Sequence, residues 1–175
     1  MSAVIADGGP AHMPQIQSIY AHWVLHGLGS FEEVPPDLSE MERRRLSVQD
    51  LGLPYLVALE ADRVLGFAYA GPYRPRPGYR FTVEDTVYVA AETQGKGIGR
   101  RLLGQVIRRA EAQGRRQMLA IIGDSGNTAS IGLHEALGFR RVGVFQSIGF
   151  KFGRWVDTVM MQRALGPGDS VLPPA

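Results

Sequence analysis

The sequence predicts a single α/β (α+β) domain with a mixed central sheet of about seven strands and about four helices on its faces. Three observations support this prediction. A chain of 175 residues corresponds to one domain of ordinary size. Apolar residues recur with a period of two in some segments and at helical spacing in others. The predicted order β-α-α-β-β-β-α-β-α-β-β joins a hairpin-rich half to a βαβ half, so the sheet needs both antiparallel and parallel pairs.

The first half of the chain predicts one short strand, two helices and a β-hairpin. These elements cover residues 4–6, 11–25, 39–49, 55–59 and 64–70. Ser39 followed by Glu42 has the pattern of a capping box, which predicts the start of the second helix. Residues 60–63 supply the turn of the hairpin.

The second half predicts alternating strands and helices, followed by a closing pair of strands. These elements cover residues 81–89, 98–113, 118–122, 127–137, 139–145 and 155–161. Gly114 and Gly138 follow the two helices as C-terminal caps. Residues 1–165 are therefore predicted to form one domain. Residues 166–175, which contain three prolines, are predicted to be a flexible tail.

The composition excludes several functional classes. Without cysteine, the chain has no disulfide, no catalytic thiol and no thiolate ligand for a metal. His22 and His26 lie one helical turn apart, but no third ligand accompanies them, so no metal site is expected. A net charge of +2, with arginines scattered in pairs, is too small for a strong nucleic-acid binder. No apolar run is long enough to span a bilayer and no signal peptide is evident, so we expect a cytoplasmic protein without membrane contact.

A glycine-rich segment between the strand at residues 81–89 and the following helix carries the clearest functional signal. It comprises Gln94, Gly95, Lys96, Gly97, Ile98, Gly99 and Arg100. Glycines let a ligand approach the backbone closely, and a helix start presents free N–H groups at the positive end of its dipole. Arg100 and Arg101 occupy the first turn, where cations are mildly disfavoured unless an anion binds. The segment therefore predicts a polyanion site.

Two common phosphate motifs do not fit this segment. A P-loop requires Ser or Thr after the lysine, whereas Gly97 follows Lys96. In a dinucleotide fingerprint, the third glycine would fall on Arg100 or Leu102, depending on the register. The pattern that remains is Q-x-x-G-x-G after a strand that ends Val-Tyr-Val. It resembles the acetyl-CoA loop of the GCN5-related N-acetyltransferases (GNAT), and the predicted element order is similar to the GNAT fold.

The resemblance implies where acetyl-CoA would bind. The amides of the glycine-rich segment would hold the pyrophosphate. The pantetheine arm would pair with the backbone of Val87, Tyr88 and Val89 as if it were another strand.

A second motif of the family, N-x-x-[AS]-x-x-L-x-x-x-L-G-F, begins at Asn127 and includes Ser130. In the family this asparagine contacts the CoA arm, and from the residues alone Asn127 is equally a helix N-cap. Many members have a tyrosine as general acid where this chain has His134. His134 is therefore either a substitute acid for the leaving thiolate or a hydrogen-bonded wall residue.

Glu84 is the predicted general base. Transfer of an acetyl group to an amine requires the amine to lose a proton, and a carboxylate near the junction of strand and cofactor can accept it. Glu84 lies on the strand that leads to the glycine-rich segment, and we expect it to act through a water in a direct transfer within a ternary complex. Adjacent carboxylates in mid-strand are costly without partners, so we expect Asp85 to be structural and to be satisfied by an arginine.

A closer resemblance covers the loop before this strand and the end of the chain. Residues 73–89, 133–135 and 149–157 are similar to the phosphinothricin and methionine-sulfone N-acetyltransferases. Members of this subfamily acetylate the α-amino group of small amino acids such as phosphinothricin, methionine sulfoximine or methionine sulfone, and they typically form homodimers. The resemblance therefore implies a small amino-acid substrate, acetyl-CoA as co-substrate and a homodimer.

Two segments are the predicted substrate contacts. Arg74 and Arg76, with Pro75 between them, lie on a proline-stiffened loop before Glu84. Arginine binds carboxylates bidentately, so this pair is suited to the carboxylate of an amino acid. The resemblance also implies that Phe31 and Glu32 lie in a loop that covers the substrate.

Two other functions remain open on the sequence. A peptide or protein N-acetyltransferase would require an open groove rather than a pocket with arginines. A non-catalytic acyl-CoA- or nucleotide-sensing module would keep the phosphate loop. Glu84 argues against such a module, because binding alone requires no carboxylate at that position.

Overall fold

Within residues 3–173, which the computed structural model describes, the chain forms a seven-stranded mixed sheet. The strands are β1 (Val4–Asp7), β2 (Tyr55–Glu60), β3 (Arg63–Pro72), β4 (Thr82–Val89), β5 (Gln117–Gly123), β6 (Arg140–Lys151) and β7 (Arg154–Ala164), in the order β1-β2-β3-β4-β5-β7-β6. The α-helices are α1 (Met13–His26), α2 (Leu38–Asp50), α3 (Ile98–Ala112) and α4 (Thr128–Ala136). The predicted fold class is confirmed.

Strands β4 and β5 form a parallel pair, and α3 connects them. The connection is an amphipathic helix whose apolar stripe contains the fully buried side chains of Leu102, Leu103, Val106 and Ala110. This stripe packs across β2, β3 and β4. Burial of the stripe therefore fixes the start of α3 near the end of β4.

The helices cover both faces of the sheet. Tyr88 of β4 packs edge-on against Tyr20 of α1, with ring centroids 5.1 Å apart. Val87 lies instead beside Gly99 of α3. Because successive side chains of a strand point to opposite faces, α1 and α3 lie on opposite faces of the sheet. Glu84 and Tyr88 therefore lie on the α1 face.

The second helix begins earlier than the sequence pattern indicated. α2 starts at Leu38, and the Asp37 side chain caps it by accepting a hydrogen bond of 2.8 Å from the Glu40 N–H. The prediction of a cap at Ser39 is therefore wrong. Asp37 and Glu40 have the same three-residue spacing as Ser39 and Glu42, so the capping pattern fitted both registers.

The C-terminal hairpin is longer than predicted. β6 and β7 pair up to Lys151 and Arg154, next to a two-residue turn. Both turn residues have positive φ, 51° at Phe152 and 72° at Gly153. Such turns match the twist of antiparallel strands, so the pairing continues to the turn.

The predicted tail begins with ordered turns. Gly168 N–H donates to the Leu165 carbonyl at 2.9 Å, and Arg116 donates to the Gly168 carbonyl at 3.4 Å. Residues 174–175, which the tail prediction included, lie outside the described residues. No helix in the described part of the chain is long and apolar enough to cross a bilayer.

Candidate active site

A gap opens between β4 and β5 in the middle of the sheet. The two strands pair through Thr82–Glu84 and Gln117–Leu119 and separate beyond these residues, while β3 continues to pair with β4. Backbone groups alternate between the two edges of a strand, and the Ala90 N–H bonds to Leu65 on the β3 side. Val87, three residues earlier, therefore directs its N–H and C=O groups into the gap.

The glycine-rich segment lies at the wide end of this gap. Gly95 and Gly97 both have positive φ, 73° and 77°, and Gly97 is the N-cap of α3. A Cβ at Gly99 would lie 3.3 Å from the Leu133 side chain, so glycine allows α3 to begin close to α4. Within residues 3–173, five N–H groups here have no acceptor, those of Gly95, Gly97, Ile98, Gly99 and Arg100. Such a row of free amides at a helix start is suited to an anion.

Polar side chains surround these amides. Gln94, Lys96 and Arg100 are exposed, and neither cation forms an ion pair with another residue of the described chain. Ile98 is buried and anchors the first turn of α3 in the core. The positive charges are therefore available to a phosphate-bearing ligand.

Asn127 begins the helix that follows β5, on the other side of the gap. Its side-chain oxygen accepts a hydrogen bond of 3.2 Å from the Ser130 N–H, so it caps α4. The Asn127 cap uses the amide oxygen, which leaves the Nδ2 group as a donor. Both predicted residues of the second motif therefore flank the gap.

Glu84 lies at the narrow end of the gap, where the pairing of β4 with β5 ends. Its half-buried carboxyl has no ion-pair partner among the described residues. Burial, with a smaller contribution from the Asp85 carboxylate, raises the pKa of Glu84 to about 6. A carboxylate with this pKa is mostly ionised at neutral pH and is a stronger proton acceptor than an exposed one. Val89, at the wide end, lies about 16 Å further along the strand at ~3.3 Å per residue.

Asp85 and His134 form a buried pair on the opposite face. His134 Nε2 lies 3.0 Å from Asp85 Oδ2, and Nδ1 lies 2.7 Å from the Ser130 carbonyl. A carbonyl only accepts, so Nδ1 carries a proton. Burial alone would lower the pKa of His134, but the Asp85 carboxylate and the Ser130 carbonyl outweigh burial and raise it.

The structure gives Asp85 a partner that the sequence did not predict. The expected arginine is absent from this pair, and His134 takes its place. Both ring nitrogens of His134 are engaged and the side chain is buried, which favours the wall-residue interpretation over the general acid. The second carboxylate oxygen of Asp85, Oδ1, is also buried and has no hydrogen-bond partner within residues 3–173.

Residues 27–32, which we call the roof loop, cross the gap on the α1 face. The Tyr88 hydroxyl on β4 donates to the Gly29 carbonyl at 3.2 Å. The Leu28 carbonyl lies directly against Gly123 at the end of β5. The loop therefore spans from one strand of the gap to the other, on the face that carries Glu84.

A hydrogen-bonded cluster holds Glu32 at the end of the roof loop. Arg44 of α2 forms an ion pair of 2.6 Å with Glu32, and the Tyr20 hydroxyl donates to the same carboxylate at 3.0 Å. Burial raises the pKa of Tyr20 to about 12, so this hydroxyl remains a donor at neutral pH. Phe31 is 41% exposed, and its ring rests on Gly149 of β6.

The loop between β3 and β4 brings two cations to the narrow end of the gap. It leaves β3 beside the predicted base, because Gly71 is the register partner of Glu84. Arg74, Pro75 and Arg76 are all exposed, and neither arginine has an ion-pair partner in residues 3–173. These guanidinium groups are available to bind a carboxylate.

The parts of this site have separate chemical capacities. Two separated strands can accept an extended chain, free amides and cations can bind phosphates, and a carboxylate of raised pKa can take a proton. Among the described residues, no group of three or more His, Asp or Glu side chains is placed to hold a metal ion. The combination defines an acyltransferase that uses an extended, phosphate-bearing acyl donor.

Comparison with known proteins gives the family. The model of the acetyltransferase (GNAT) family matches residues 17–139. The chain therefore belongs to the GNAT family and is an N-acetyltransferase.

Two relatives are similar over nearly the whole chain. It is 58% identical over 161 residues to the phosphinothricin N-acetyltransferase of Alcaligenes faecalis, covering 92% of this chain and 82% of the relative. It is 45% identical over 168 residues to the L-methionine sulfoximine/L-methionine sulfone acetyltransferase of Pseudomonas aeruginosa, covering 95% and 97%.

Two solved structures share the fold at similar coverage. A phosphinothricin acetyltransferase from Sinorhizobium meliloti, in complex with acetyl-CoA, has a TM-score of 0.96 and 44% identity, covering 99% of this chain and 94% of that one. A ribosomal-protein-alanine N-acetyltransferase from Brucella melitensis has a TM-score of 0.90 and 37% identity, covering 93% and 99%.

The structure adds residues that sequence reasoning did not single out. Tyr20, Ser30 and Arg44 form the cluster around Glu32, and Lys151 contacts the other end of the roof loop. The sequence offered one signal for Lys151, since it lies within the segment that resembles the subfamily. No local pattern connects Tyr20 or Arg44 to the loop, because their contacts depend on how α1 and α2 dock.

Proposed function

We propose that this protein transfers the acetyl group of acetyl-CoA to the α-amino group of a small amino acid or analogue. Phosphinothricin, methionine sulfoximine and methionine sulfone are the proposed substrate class, after the relatives that act on them. The observation that carries the proposal is the unpaired Glu84 carboxyl at the narrow end of the gap, with a pKa raised to about 6.

The residues around the gap fit acetyl-CoA. The free N–H groups from Gly95 to Arg100, with Lys96, would hold the pyrophosphate. The backbone of Val87 and Val89 would bind the pantetheine arm, whereas the backbone of Tyr88 pairs with β3 and its predicted role there is not supported. Asn127 and Ser130 would contact the arm from α4. The positive φ of Gly95 and Gly97 supports this proposal, because it allows successive backbone N–H groups to face one anion. Acetyl-CoA supplies the activated acyl group as a thioester.

Glu84 would act as the general base in a direct transfer within a ternary complex. Its carboxylate would take the proton of the substrate ammonium group, through a water, so that the amine becomes nucleophilic. Backbone N–H groups that face the gap would stabilise charge on the acyl oxygen. As the new C–N bond forms, the C–S bond of the thioester would break, and coenzyme A would leave as a thiolate that takes a proton from solvent. We propose that His134 acts indirectly, by holding Asp85 and β4 in place, rather than as an acid.

The substrate would lie between the arginines and the roof loop. Arg74 and Arg76 would bind its carboxylate, with Pro75 limiting the freedom of the loop between them. Phe31 and Glu32 would contact its side chain from above. Acetylation removes the positive charge of the amino group, and we propose resistance to phosphinothricin as a consequence.

We further propose that the protein is a cytoplasmic homodimer. The C-terminal hairpin exposes several large apolar side chains, among them Val144, Ile148, Phe150, Phe152 and Trp155. Contiguous apolar surface of this kind is typical of protein–protein contacts. The strand β6 is also an edge of the sheet, so its outer backbone groups are unpaired.

One comparison favours a second candidate, the acetylation of a protein N-terminus that begins with alanine. It is the structural similarity to the Brucella melitensis enzyme. The roof loop argues against a long peptide, because it crosses the gap on the face of Glu84.

A substrate panel distinguishes the two functions. Thiol release from acetyl-CoA would be measured with phosphinothricin, methionine sulfoximine, methionine sulfone, common amino acids and an alanine-terminated peptide. We expect the free amino-acid analogues to be acetylated at least tenfold more efficiently, in kcat/KM, than the peptide. Preference for the peptide would overturn the assignment, and acetyl-CoA binding without turnover on any amine would indicate a sensor.

A further inference from the structure

Lys151, the last residue of β6, is a buried lysine that forms no ion pair within residues 3–173, although Glu33 and Glu32 lie near enough to favour its charged form. Only 1% of its surface is exposed. Its Nζ donates to the Gly27 carbonyl at 2.9 Å and to the Ser30 carbonyl at 2.7 Å. The ring of Phe152 lies 4.9 Å from the same atom, which adds a cation–π contact.

Burial of this ammonium group is unfavourable in itself and therefore calls for a physical reason. Burial lowers the pKa of Lys151, as expected for a cation moved away from water. The two carbonyls and the aromatic face replace its hydration. Both carbonyls belong to the roof loop, so the effect of the contact is to hold that loop against β6.

The roof loop depends on donors from outside itself. The Gly29 carbonyl accepts from Tyr88 of β4, and the Gly27 and Ser30 carbonyls both accept from Lys151 of β6. Lys151 therefore supplies two of these three contacts. A buried carbonyl that loses its donor is costly, so removal of the lysine would loosen the backbone between Gly27 and Ser30 even while Tyr20 and Arg44 still hold Glu32.

Gly149 provides a second attachment of the same loop to β6. A Cβ added at Gly149 would overlap the ring of Phe31. Phe31 lies next to Ser30 in the chain, so the two contacts act on one turn of backbone. Together they hold the loop above the face of the gap that carries Glu84.

We infer that Lys151 is a positioning residue that sets the affinity for the amino-acid substrate by holding the roof loop over the gap. The inference rests on the proposed function, because it assigns that loop to the amino-acid subsite. It predicts a larger effect on the amino acid than on acetyl-CoA, since none of the hydrogen bonds that the roof loop makes within residues 3–173 reaches the glycine-rich segment, which would hold the pyrophosphate.

Lys151→Met is the direct test, because methionine keeps the length of the side chain and removes its donors. Arg154→Met is the matched control. Arg154 is the register partner of Lys151, loses the same charge, and is exposed in an ion pair with Asp124. Three quantities would be measured on each variant: the KM for the amino acid, the calorimetric Kd for acetyl-CoA, and amide hydrogen exchange of residues 27–32 in the free protein.

We expect Lys151→Met to raise the KM for the amino acid at least tenfold and to accelerate exchange of the roof loop at least tenfold. The Kd for acetyl-CoA should stay within twofold, and Arg154→Met should leave all three values within twofold. Equal losses of affinity for both substrates would indicate a global structural role and overturn the inference. So would exchange and KM values that match the control.

Two further outcomes distinguish a failure of this inference from a failure of the proposed function or of the variant's folding. If the wild-type protein acetylates no amino acid, the proposed function fails, and roof-loop exchange in Lys151→Met still decides whether the lysine holds the loop. If Lys151→Met does not fold, Lys151→Gln takes its place, since the shorter amide cannot donate to both the Gly27 and the Ser30 carbonyls. An unchanged amino-acid KM together with unchanged roof-loop exchange in Lys151→Gln would then overturn the inference.

Discussion

At the scale of single residues, two neighbouring carboxylates on β4 have opposite environments. Glu84 has no ion-pair partner within residues 3–173, faces the α1 side and has a pKa that burial raises to about 6. Asp85 faces the other side and is paired with His134. Alternation along one strand thus separates a half-buried carboxylate of raised pKa from one held in a buried pair, although they are adjacent in sequence.

The buried pair makes a prediction for stability. Asp85→Asn leaves the His134 ring without its counter-charge, and breaking a buried pair costs about 3–5 kcal/mol. The pKa of His134 is raised in the folded protein, so the pair stabilises the fold fully below about pH 6.5, the value in the unfolded chain. That contribution is lost as the pH rises through the raised pKa.

Urea unfolding of Asp85→Asn and wild type at pH 6 and pH 9 measures this effect. The loss of unfolding free energy should be larger at pH 6. A loss that is equal at both pH values would mean that His134 is neutral in the folded protein.

The residue scale also shows what sequence reasoning can reach. The position of Glu84 on β4 was predictable because strand periodicity and the position of the glycine-rich segment are both local, and its role as base stays a prediction. The partner of Asp85 was not, because His134 lies 49 residues away on a helix whose docking no local pattern fixes. The role of Lys151 was not predictable for the same reason, because the carbonyls that it contacts lie more than a hundred residues earlier in the chain.

At the scale of elements, the start of α3 combines a glycine of positive φ with the row of free amides to which we assign acetyl-CoA. Gly97 has φ 77°, a conformation that costs other residues about 1–2 kcal/mol. The same helix is followed at its other end by Gly114, with φ 76°. No heavy atom would contact a Cβ within 4 Å at either glycine, so the two positions form a matched pair.

Gly97→Ala should weaken acetyl-CoA binding at least tenfold. Alanine disfavours the positive φ of this position, and a change in that backbone conformation would turn the neighbouring N–H groups away from the anion site. Gly114→Ala should lose a similar amount of stability without a change in that affinity. Calorimetric titration with acetyl-CoA, together with thermal unfolding, measures both quantities. Equal acetyl-CoA affinities in the two variants would show that the glycine-rich segment is not part of the acetyl-CoA site.

Element boundaries were less predictable than element types. The seven strands and four α-helices of residues 3–173 match the predicted order. The α2 start was misplaced because Asp37 and Ser39 both satisfy a capping pattern, and only the hydrogen bond to Glu40 distinguishes them. The hairpin was predicted too short, because its turn places a phenylalanine at positive φ where sequence rules expect glycine or asparagine.

At the scale of the whole molecule, the sheet ends in an apolar hairpin. Trp155 is 65% exposed and packs against Phe150, with ring centroids 5.3 Å apart. Exposed aromatic side chains of this kind are enriched at interfaces. The arrangement supports association through β6 and β7.

The wild-type protein should therefore elute as a dimer, and Trp155→Glu should shift it towards monomer by burying a charge in the contact. Val4, which is 62% exposed on β1 at the opposite edge of the sheet, offers the control variant Val4→Glu. Light scattering over a range of concentrations measures the mass. A wild-type monomer, or equal dissociation in both variants, would contradict the proposed interface.

The dependence of kcat/KM on pH, with acetyl-CoA saturating and phosphinothricin as amine, tests the role of Glu84 most directly. Glu84 must be ionised to take a proton, so the wild-type value should fall about tenfold per pH unit below an inflection near 6. Glu84→Gln should lower the rate by about 10²–10⁴-fold and abolish that inflection. A Glu84→Gln enzyme with near wild-type rates and an unchanged pH profile would contradict the assignment of Glu84 as the base.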